Sequence, residues 1–592
     1  MIRLAILNEL NIVGVIFRAM FDRDVYILGR MPLIPRFDSL LAAVQRWLLR
    51  RNFARDIFTI FPDERDWANV PLFRNRTDLF QRTERWTEGH LSFSRWPKNW
   101  EPYGLAFRNI AVKYMSGYYV SADLVRQMRT LFPDRAIKLV GANRDFIAFL
   151  NFSYGDLQIE RRLSFEPRRI VNGIIFVAVT LIGIGWLIRH MRLASPTSEP
   201  IFFGVDFHGR EEDVRIVADI LEDTDKALFI CRGSKLNQSE TSPGPGFRAA
   251  SVLDSRLELA GFNSYMSILL RDGARIFART CDCSPRLYYE AAKMSLRRLE
   301  FRGLCQRYKF DNFWARDDYN FEHILRTHEL RAAGAKSLGI NHGLPTPEIY
   351  QPSWRYIDFD IYYVFGRHLY DAYYRETWSP HMTVTAIGTT GVPHAKLAGP
   401  APARGRDIVF FSTPLKGSET LGVAFEIARR LTNRRMLVKI KRSRVRDGRA
   451  QNLIKMLECA PPNVMTTDRD SYELMFEGEF ALTGSSTVAV EAIQMGMKTF
   501  VIDTLPQDKA FYYRDFPSIC VRSADEAVRR IQAIERGEEK YPWADLGSLV
   551  DLSGQNPFNV IRRDIGLPPR KTDSPSLNAV IPTNNIRASL HE

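Results

Sequence analysis

The chain has 592 residues, 45% of them apolar and 25% charged, with 36 glycines, 31 prolines and a formal net charge of +14. These proportions exclude a collagen-like repeat, a disulfide-stapled miniature and a wholly disordered polymer. At roughly 100 to 200 residues per domain, the length suggests about three domains, each large enough to bury its own core. The six cysteines show no pair of CxxC motifs at metal-site spacing and read as reduced thiols.

Residues 1–169 form a basic α/β region, with 27 Lys and Arg against 18 Asp and Glu, so that it carries +9 of the total charge. MIRLAIL reads as a strand rather than a cleavable signal peptide, because Asn8 and Glu9 follow at once. NIVGVIFRAMF then has helical spacing, and DVYILG, DIFTIFP and AIKLVG read as strands of an incomplete layer. Between them, Leu40 to Phe53 is a helical pattern whose Leu and Trp positions alternate with Arg46, Arg50 and Arg51. It suits either a membrane surface or a core helix with a solvated basic face. A basic face beside an apolar anchor draws anionic headgroups, at about 1 kcal/mol per well-placed base. No helix-turn-helix, finger or RNP-like strand favours nucleic acid as the partner.

Residues 170–190 are expected to be a membrane helix. Ile170 to Ile188 runs 19 residues without a charge. At 1.5 Å per residue it is about 28 Å long, close to the hydrocarbon thickness of a bilayer. Arginines flank both ends and Trp186 lies near the second, so the segment spans or re-enters the membrane with no orientation marked. The alternative is a buried core helix, softened by Asn172, Gly173, Gly183 and Gly185.

Residues 200–398 alternate strands (IFFGVDF, ALFICRG, ARIFART, KSLGINHG, FDIYYVFG, MTVTAIG) with helical stretches, the pattern of a parallel sheet covered on both faces. GPAPARG is a Pro-rich linker. Residues 406–567 repeat the pattern with DIVFFSTP, MLVKIK, EFALTG and KTFVID as strands, and residues 568–592 read as a disordered tail. Two successive Rossmann-like units imply a two-lobed enzyme with a cleft between the lobes.

The sharpest local signal is LTGSSTVAVEAIQMG. A strand ends at Thr483 and Gly484, and Ser485, Ser486 and Thr487 open a helix, where free N–H groups and small hydroxyl residues suit a phosphate. Glu491, one turn deeper, can accept hydrogen bonds from ribose hydroxyls; the alternative is an ordinary Ser/Thr cap. Lys439 and Lys441 share one side of a strand near its end, useful beside a phosphate or simply solvated at an edge. Tyr472 and Glu473 either reach the cleft or cover a helix surface. In the other lobe, Asp317 and Asp318 follow Arg316 in a loop before a helix, and His342 follows a strand. These suit a base and an orienting group, with helix capping and a structural histidine as alternatives. His208, His394 and the Asp358/Asp360 pair are weaker candidates, the pair reading as the start of a strand. There is no HExxH, Walker loop or GxSxG elbow, and no metal site is expected.

Taken together, SLGINHG, RYIDFDIYYVFG, VTAIGTTG, IVFFSTP, VKIK and TGSSTVAVEAIQMGMKTFVID resemble bacterial GT-B glycosyltransferases of surface polysaccharide synthesis. The nearest groups are capsule Kdo-transferases, polysialyltransferases and teichoic-acid glycerophosphotransferases. The resemblance covers roughly Ile201 to Leu567 and leaves the first 169 residues outside. It implies that His342, within Asn341-His342-Gly343, stands near the reaction centre, that Ser485, Ser486 and Thr487 hold donor phosphate, and that Glu491 binds donor ribose. Many members carry Lys-x-His-Pro where this chain has Lys439, Ile440, Lys441 and Arg442, so a cation replaces a histidine here.

The resulting expectation is a metal-independent transferase, without a bound cofactor, at the cytoplasmic face of the cell membrane. It would move a sugar from a nucleotide-sugar donor to a surface-polysaccharide or lipid-linked glycan acceptor. Transfer of a polyol phosphate from a CDP-linked donor, and a non-catalytic membrane scaffold with the same fold, are the alternatives.

Overall fold

The computed structural model describes residues 1–8, 12–22, 24–30, 37–61, 85–91, 93–155, 160–162, 167–192, 198–231, 247–316, 320–341, 343, 352–392, 404–413, 417–441, 450–505, 507 and 511–570. Three parallel sheets follow one another along the chain. The first contains β1 (Ile2–Leu7), β2 (Val25–Arg30), β3 (Arg55–Asp56), β4 (Ile137–Val140) and β5 (Glu160–Arg162), in the order β3-β2-β1-β4-β5. Alternate residues of β1 serve opposite faces. Ala5 and Leu7 pack with α1 (Ile12–Phe21) and α2 (Asp38–Arg50). Ile2, Leu4 and Ile6 pack with α3 (Tyr103–Leu131) and α4 (Arg144–Tyr154). Helices on both faces make this a complete doubly wound unit, not the incomplete layer the sequence suggests. DIFTIFP is not a strand beyond Asp56. The Asp56 carboxylate accepts the Phe58 N–H at 3.1 Å and turns Ile57–Thr59 into a short 3₁₀ helix.

The apolar segment forms α5 (Arg168–His190), the one helix among the described residues long and apolar enough to cross a membrane. Its two sides differ. Asn172, Ile175, Gly183 and Leu187 are buried against the protein, and a Cβ on Gly183 would strike the Leu269 side chain at 2.7 Å. The Asn172 amide donates to the Cys281 and Cys283 carbonyls at 2.8 and 3.0 Å. On the other side Ile170, Ile174, Val177, Leu181 and Ile188 lie along one stripe and are exposed. Both ends are fastened to one body. Arg168 donates to the Asp145 carboxylate and to the Asp282 carbonyl. Just past the other end, β6 (Met191–Arg192) pairs with β10 (Leu257–Glu258).

The second sheet contains β7 (Glu199–Phe207), β8 (Ala227–Cys231), β9 (Arg248–Ser251), β11 (Tyr308–Ala315), β12 (Lys336–Ile340), β13 (Ile361–Val364) and β14 (Thr383–Ala386). Its order is β14-β13-β12-β11-β7-β8-β9. Around it stand α6 (Glu211–Ile220), α7 (Gly273–Thr280), α8 (Pro285–Arg307) and α9 (Glu322–Ala332). ARIFART is therefore helical: Ile276 and Thr280 lie one turn apart on its buried side. The place expected for it in the sheet is taken by β11, which runs beside β7 at the centre.

The third sheet contains β15 (Ile408–Phe411), β16 (Met436–Lys439), β17 (Val464–Thr466), β18 (Phe480–Thr483), β19 (Lys498–Ile502) and β20 (Cys520–Val521). Its order, β17-β16-β15-β18-β19-β20, is again doubly wound. Its helices include α10 (Gly417–Arg430), α11 (Ser471–Glu477) and α12 (Val488–Gln494). The last helix, α13 (Pro557–Asp564), returns to the middle lobe, where Phe558 and Ile561 join the core of Phe203, Val205 and Val217. Arg562 donates to the Ile220 carbonyl at 2.6 Å and Tyr363 donates to the Asp564 carboxylate at 3.1 Å. The fold is α/β, with two Rossmann-like lobes preceded by another doubly wound sheet and one apolar helix.

Candidate functional site

Parallel α/β sheets bind ligands outside the carboxyl ends of their strands. In the last lobe β18 ends at Thr483, whose hydroxyl donates to the Phe411 carbonyl at 3.0 Å and ties β18 to β15. Gly484 follows where its neighbours leave little room for a side chain. A Cβ there would lie 3.0 to 3.2 Å from Thr413 and Thr420. The chain then turns through Ser485, Ser486 and Thr487 into α12. That helix has only seven residues, and no Thr487 side-chain bond caps it. An anion here would meet the hydroxyls and N–H groups of a turn more than the dipole of a long helix. The Ser485 hydroxyl is buried and has no hydrogen-bond partner among the described residues, and the same holds for Ser412 Oγ at the end of β15. Buried hydroxyls are normally satisfied, so two at adjacent strand ends mark a place where a ligand or water completes the bonding.

The middle lobe meets this turn directly. Asn341 follows β12, is buried, and accepts the Gly343 N–H at 3.0 Å through its side chain. Its amide nitrogen is a third buried polar atom without a partner among the described residues. A Cβ on Gly343 would lie 3.5 Å from Thr487 Oγ1. His342 itself lies outside the described residues, as do Asp317 and Asp318, but Gly343, which follows it, reaches the hydroxyl turn of the other lobe. Arg316, which precedes the two aspartates, is buried and donates to Asp213 at 2.9 Å.

Glu491 sits on α12 where the lobes touch. The Tyr472 hydroxyl donates to its carboxylate at 3.3 Å. Burial pushes the Glu491 carboxyl up to about 7. The Glu212 carboxylate adds to the rise, while hydrogen bonds from Tyr472 and Thr389 and the charge of Lys441 oppose it. Burial and the same two carboxylates also raise the Tyr472 phenol, which stays protonated as a donor. Tyr472 is thus a cleft residue, packed so closely that a Cβ on Gly391 would strike its hydroxyl. Glu473, one position on, points away and pairs with Arg469 at 3.9 Å. The lobe contact is completed by Arg215, which donates to the Thr390 carbonyl at 3.0 Å, and by the Thr389 N–H, which donates to Gln494 at 2.5 Å. Gly388 makes the latter approach possible: its φ is +73° and a Cβ would overlap the Gln494 amide.

The two lysines diverge. Lys439 is buried and donates through its ammonium to the Arg469 carbonyl. Lys441 is exposed and acts on Glu491 through its charge. Asp358 and Asp360 both bind Arg331, at 3.0 and 2.6 Å, and lead into β13 as structural groups. His208 gains weight from the geometry. It stands just past β7, and its Nε2 lies 3.1 Å from Asp206, a buried carboxylate that also accepts from Arg326 at 3.1 Å. A carboxylate-oriented imidazole at the carboxyl end of a central strand is the usual construction of a general base. The signal available in sequence was the DFH spacing at a strand-to-helix turn. No group of three or more possible metal ligands occurs among the described residues.

No family model and no curated protein matches the chain. Among solved structures it is similar to the UDP-GlcNAc 2-epimerase from Neisseria meningitidis bound to UDP-GlcNAc. That likeness has 12% identity over 62% of this chain and 99% of the other, with a TM-score of 0.35. It is also similar to MurG from Acinetobacter baumannii, at 9% identity over 63% and 97% with a TM-score of 0.31. A third is the wall teichoic acid polymerase TagF, at 9% over 68% and 97% with a TM-score of 0.35. The chemistry of the site rests on its own geometry.

Proposed function

We propose that the protein is a GT-B glycosyltransferase that takes a nucleotide-sugar donor in the cleft between its second and third sheets. The observation that carries this reading is the approach of Gly343 to Thr487, beside buried polar atoms on both lobes that have no partner among the described residues. Donor phosphates would lie on Ser485, Ser486 and Thr487, and the ribose on Glu491. His342 or the His208–Asp206 pair would remove the proton from the acceptor hydroxyl as it attacks the anomeric carbon. Asp317 and Asp318 remain candidates for orienting that hydroxyl. Lys441 supplies positive charge near the departing diphosphate.

The acceptor would be a surface-polysaccharide or lipid-linked glycan, reached at the cytoplasmic face of the membrane. The exposed stripe of α5 supports the membrane contact. Because both ends of α5 are fastened to one body, the stripe would lie along the lipid interface as a lateral anchor, not cross it. Labelled donors test the reaction. Sugar transfer to a glycan or lipid-linked acceptor is expected; transfer of a polyol phosphate, or no transfer with any activated donor, would overturn the assignment.

A further inference from the structure

A cavity of about 510 Å³ lies where the first sheet meets the middle lobe, and its lining includes none of Gly343, Tyr472, Thr487 and Glu491. Its walls come from the carboxyl end of β2 (Arg30), from α3 (Lys113, Tyr114, Tyr118), from α8 (Arg286, Lys293) and from the start of α9. It stands at the carboxyl end of β2 and at the amino end of α9, the helix that follows β11 in the chain. That is where doubly wound sheets receive ligands, and the volume is that of a small-molecule site.

Its lining is basic. Arg30, Lys113, Arg286 and Lys293 face Glu290 and Glu322, an excess of two positive charges. Arg286 and Lys293 stand at i and i+7 on α8 and therefore share one face of it. Lys293 is balanced by Glu290 at 2.6 Å and Arg30 by Asp38 at 3.1 Å, whereas no carboxylate among the described residues pairs with Arg286. The floor is a chain of neutral donors: Ser284 donates to the Tyr114 hydroxyl at 2.7 Å, Tyr118 to Tyr114 at 2.8 Å, and Asn143 to Tyr118 at 2.8 Å. An unbalanced guanidinium, a second cation and phenol hydroxyls around one open cavity match a compact, doubly charged oxyanion.

We infer that this cavity is a second anion site, distinct from the inter-lobe cleft, and that it takes a ligand bearing a phosphate or diphosphate. Lipid-linked diphosphates and free nucleotides share that chemistry. The experiment titrates inorganic pyrophosphate into the intact protein by calorimetry and repeats it with Arg286→Ala/Lys293→Ala and with Glu491→Ala. The double variant should bind about tenfold or more weakly, and Glu491→Ala as well as the wild type. Equal binding by the double variant, or loss in Glu491→Ala alone, would overturn the assignment. In the wild type, pyrophosphate should also shield Lys113 and Lys293 from acetylation by an amine-reactive ester, a readout that needs no variant to fold; unchanged labelling counts against the site. Farnesyl diphosphate and UDP, as competitors in the same assay, tell the two sources apart, and displacement of pyrophosphate by neither contradicts the inference.

Discussion

Glu491 shows how a single side chain can report on the cleft. Its carboxyl is raised to about 7 from an ordinary value of 4.5, so the folded state holds its proton more tightly than the unfolded chain does. The stability linked to that proton is complete below about 4.5 and is lost as pH rises through about 7. The rise corresponds to roughly 3 kcal/mol. Glu491→Gln should therefore melt above the wild type at pH 8 and level with it near pH 4.5, as followed by calorimetry; parallel pH profiles would show that the carboxyl is not perturbed. With the His208–Asp206 pair as the base of the proposed transfer, His208→Ala is expected to lower kcat about a hundredfold or more with little change in donor KM. A KM change alone would assign it to binding.

These residues differ in how far they could be read in advance. The Ser485–Thr487 turn was legible as a strand-to-helix turn of small hydroxyl residues, a pattern that an ordinary Ser/Thr cap produces equally well. Tyr472 was ambiguous, since its partner Glu491 is 19 positions away and only the fold brings them together. His208 was undervalued for a related reason: the value of an imidazole depends on the carboxylate that orients it, and the burial of Asp206 is set by the fold.

Among the elements, α5 is the one whose composition and packing point in different directions. Apolar residues surround the whole helix, so periodicity could not separate a packed side from an exposed one. The packed side is set by the polar Asn172, whose amide joins α5 to two carbonyls of the Cys281–Cys283 turn. Asn172→Leu should lower stability by about 2 to 3 kcal/mol, because two carbonyls lose their donor in a buried setting. Leu181→Glu, on the exposed stripe, should leave the melting temperature unchanged and reduce sedimentation with anionic vesicles; unaltered sedimentation would contradict the lateral anchor. The two misassigned segments share a cause. DIFTIFP and ARIFART are short apolar runs that suit strand or helix equally, and local events decided them: an Asp56 turn in one, packing of Ile276 in the other.

At the level of the whole molecule, three doubly wound sheets explain why the chain needs nearly 600 residues. The two later units were legible from alternating strands and helices. The first was only partly so, because its sheet includes two strands of two and three residues that carry almost no pattern. The lobes are held together by α13, which leaves the third sheet and packs in the core of the second, so the cleft is fixed from behind while its mouth carries Gly343, Thr487 and Glu491. In the proposed reaction a nucleotide-linked donor occupies that mouth. Thermal unfolding of the intact protein with UDP-, GDP-, CMP- and CDP-linked donors tests it most directly, since a ligand of the native state raises its stability. One nucleotide class should raise the melting temperature of the wild type and fail to do so in Glu491→Ala. No shift with any donor, or equal shifts in both proteins, would contradict the account.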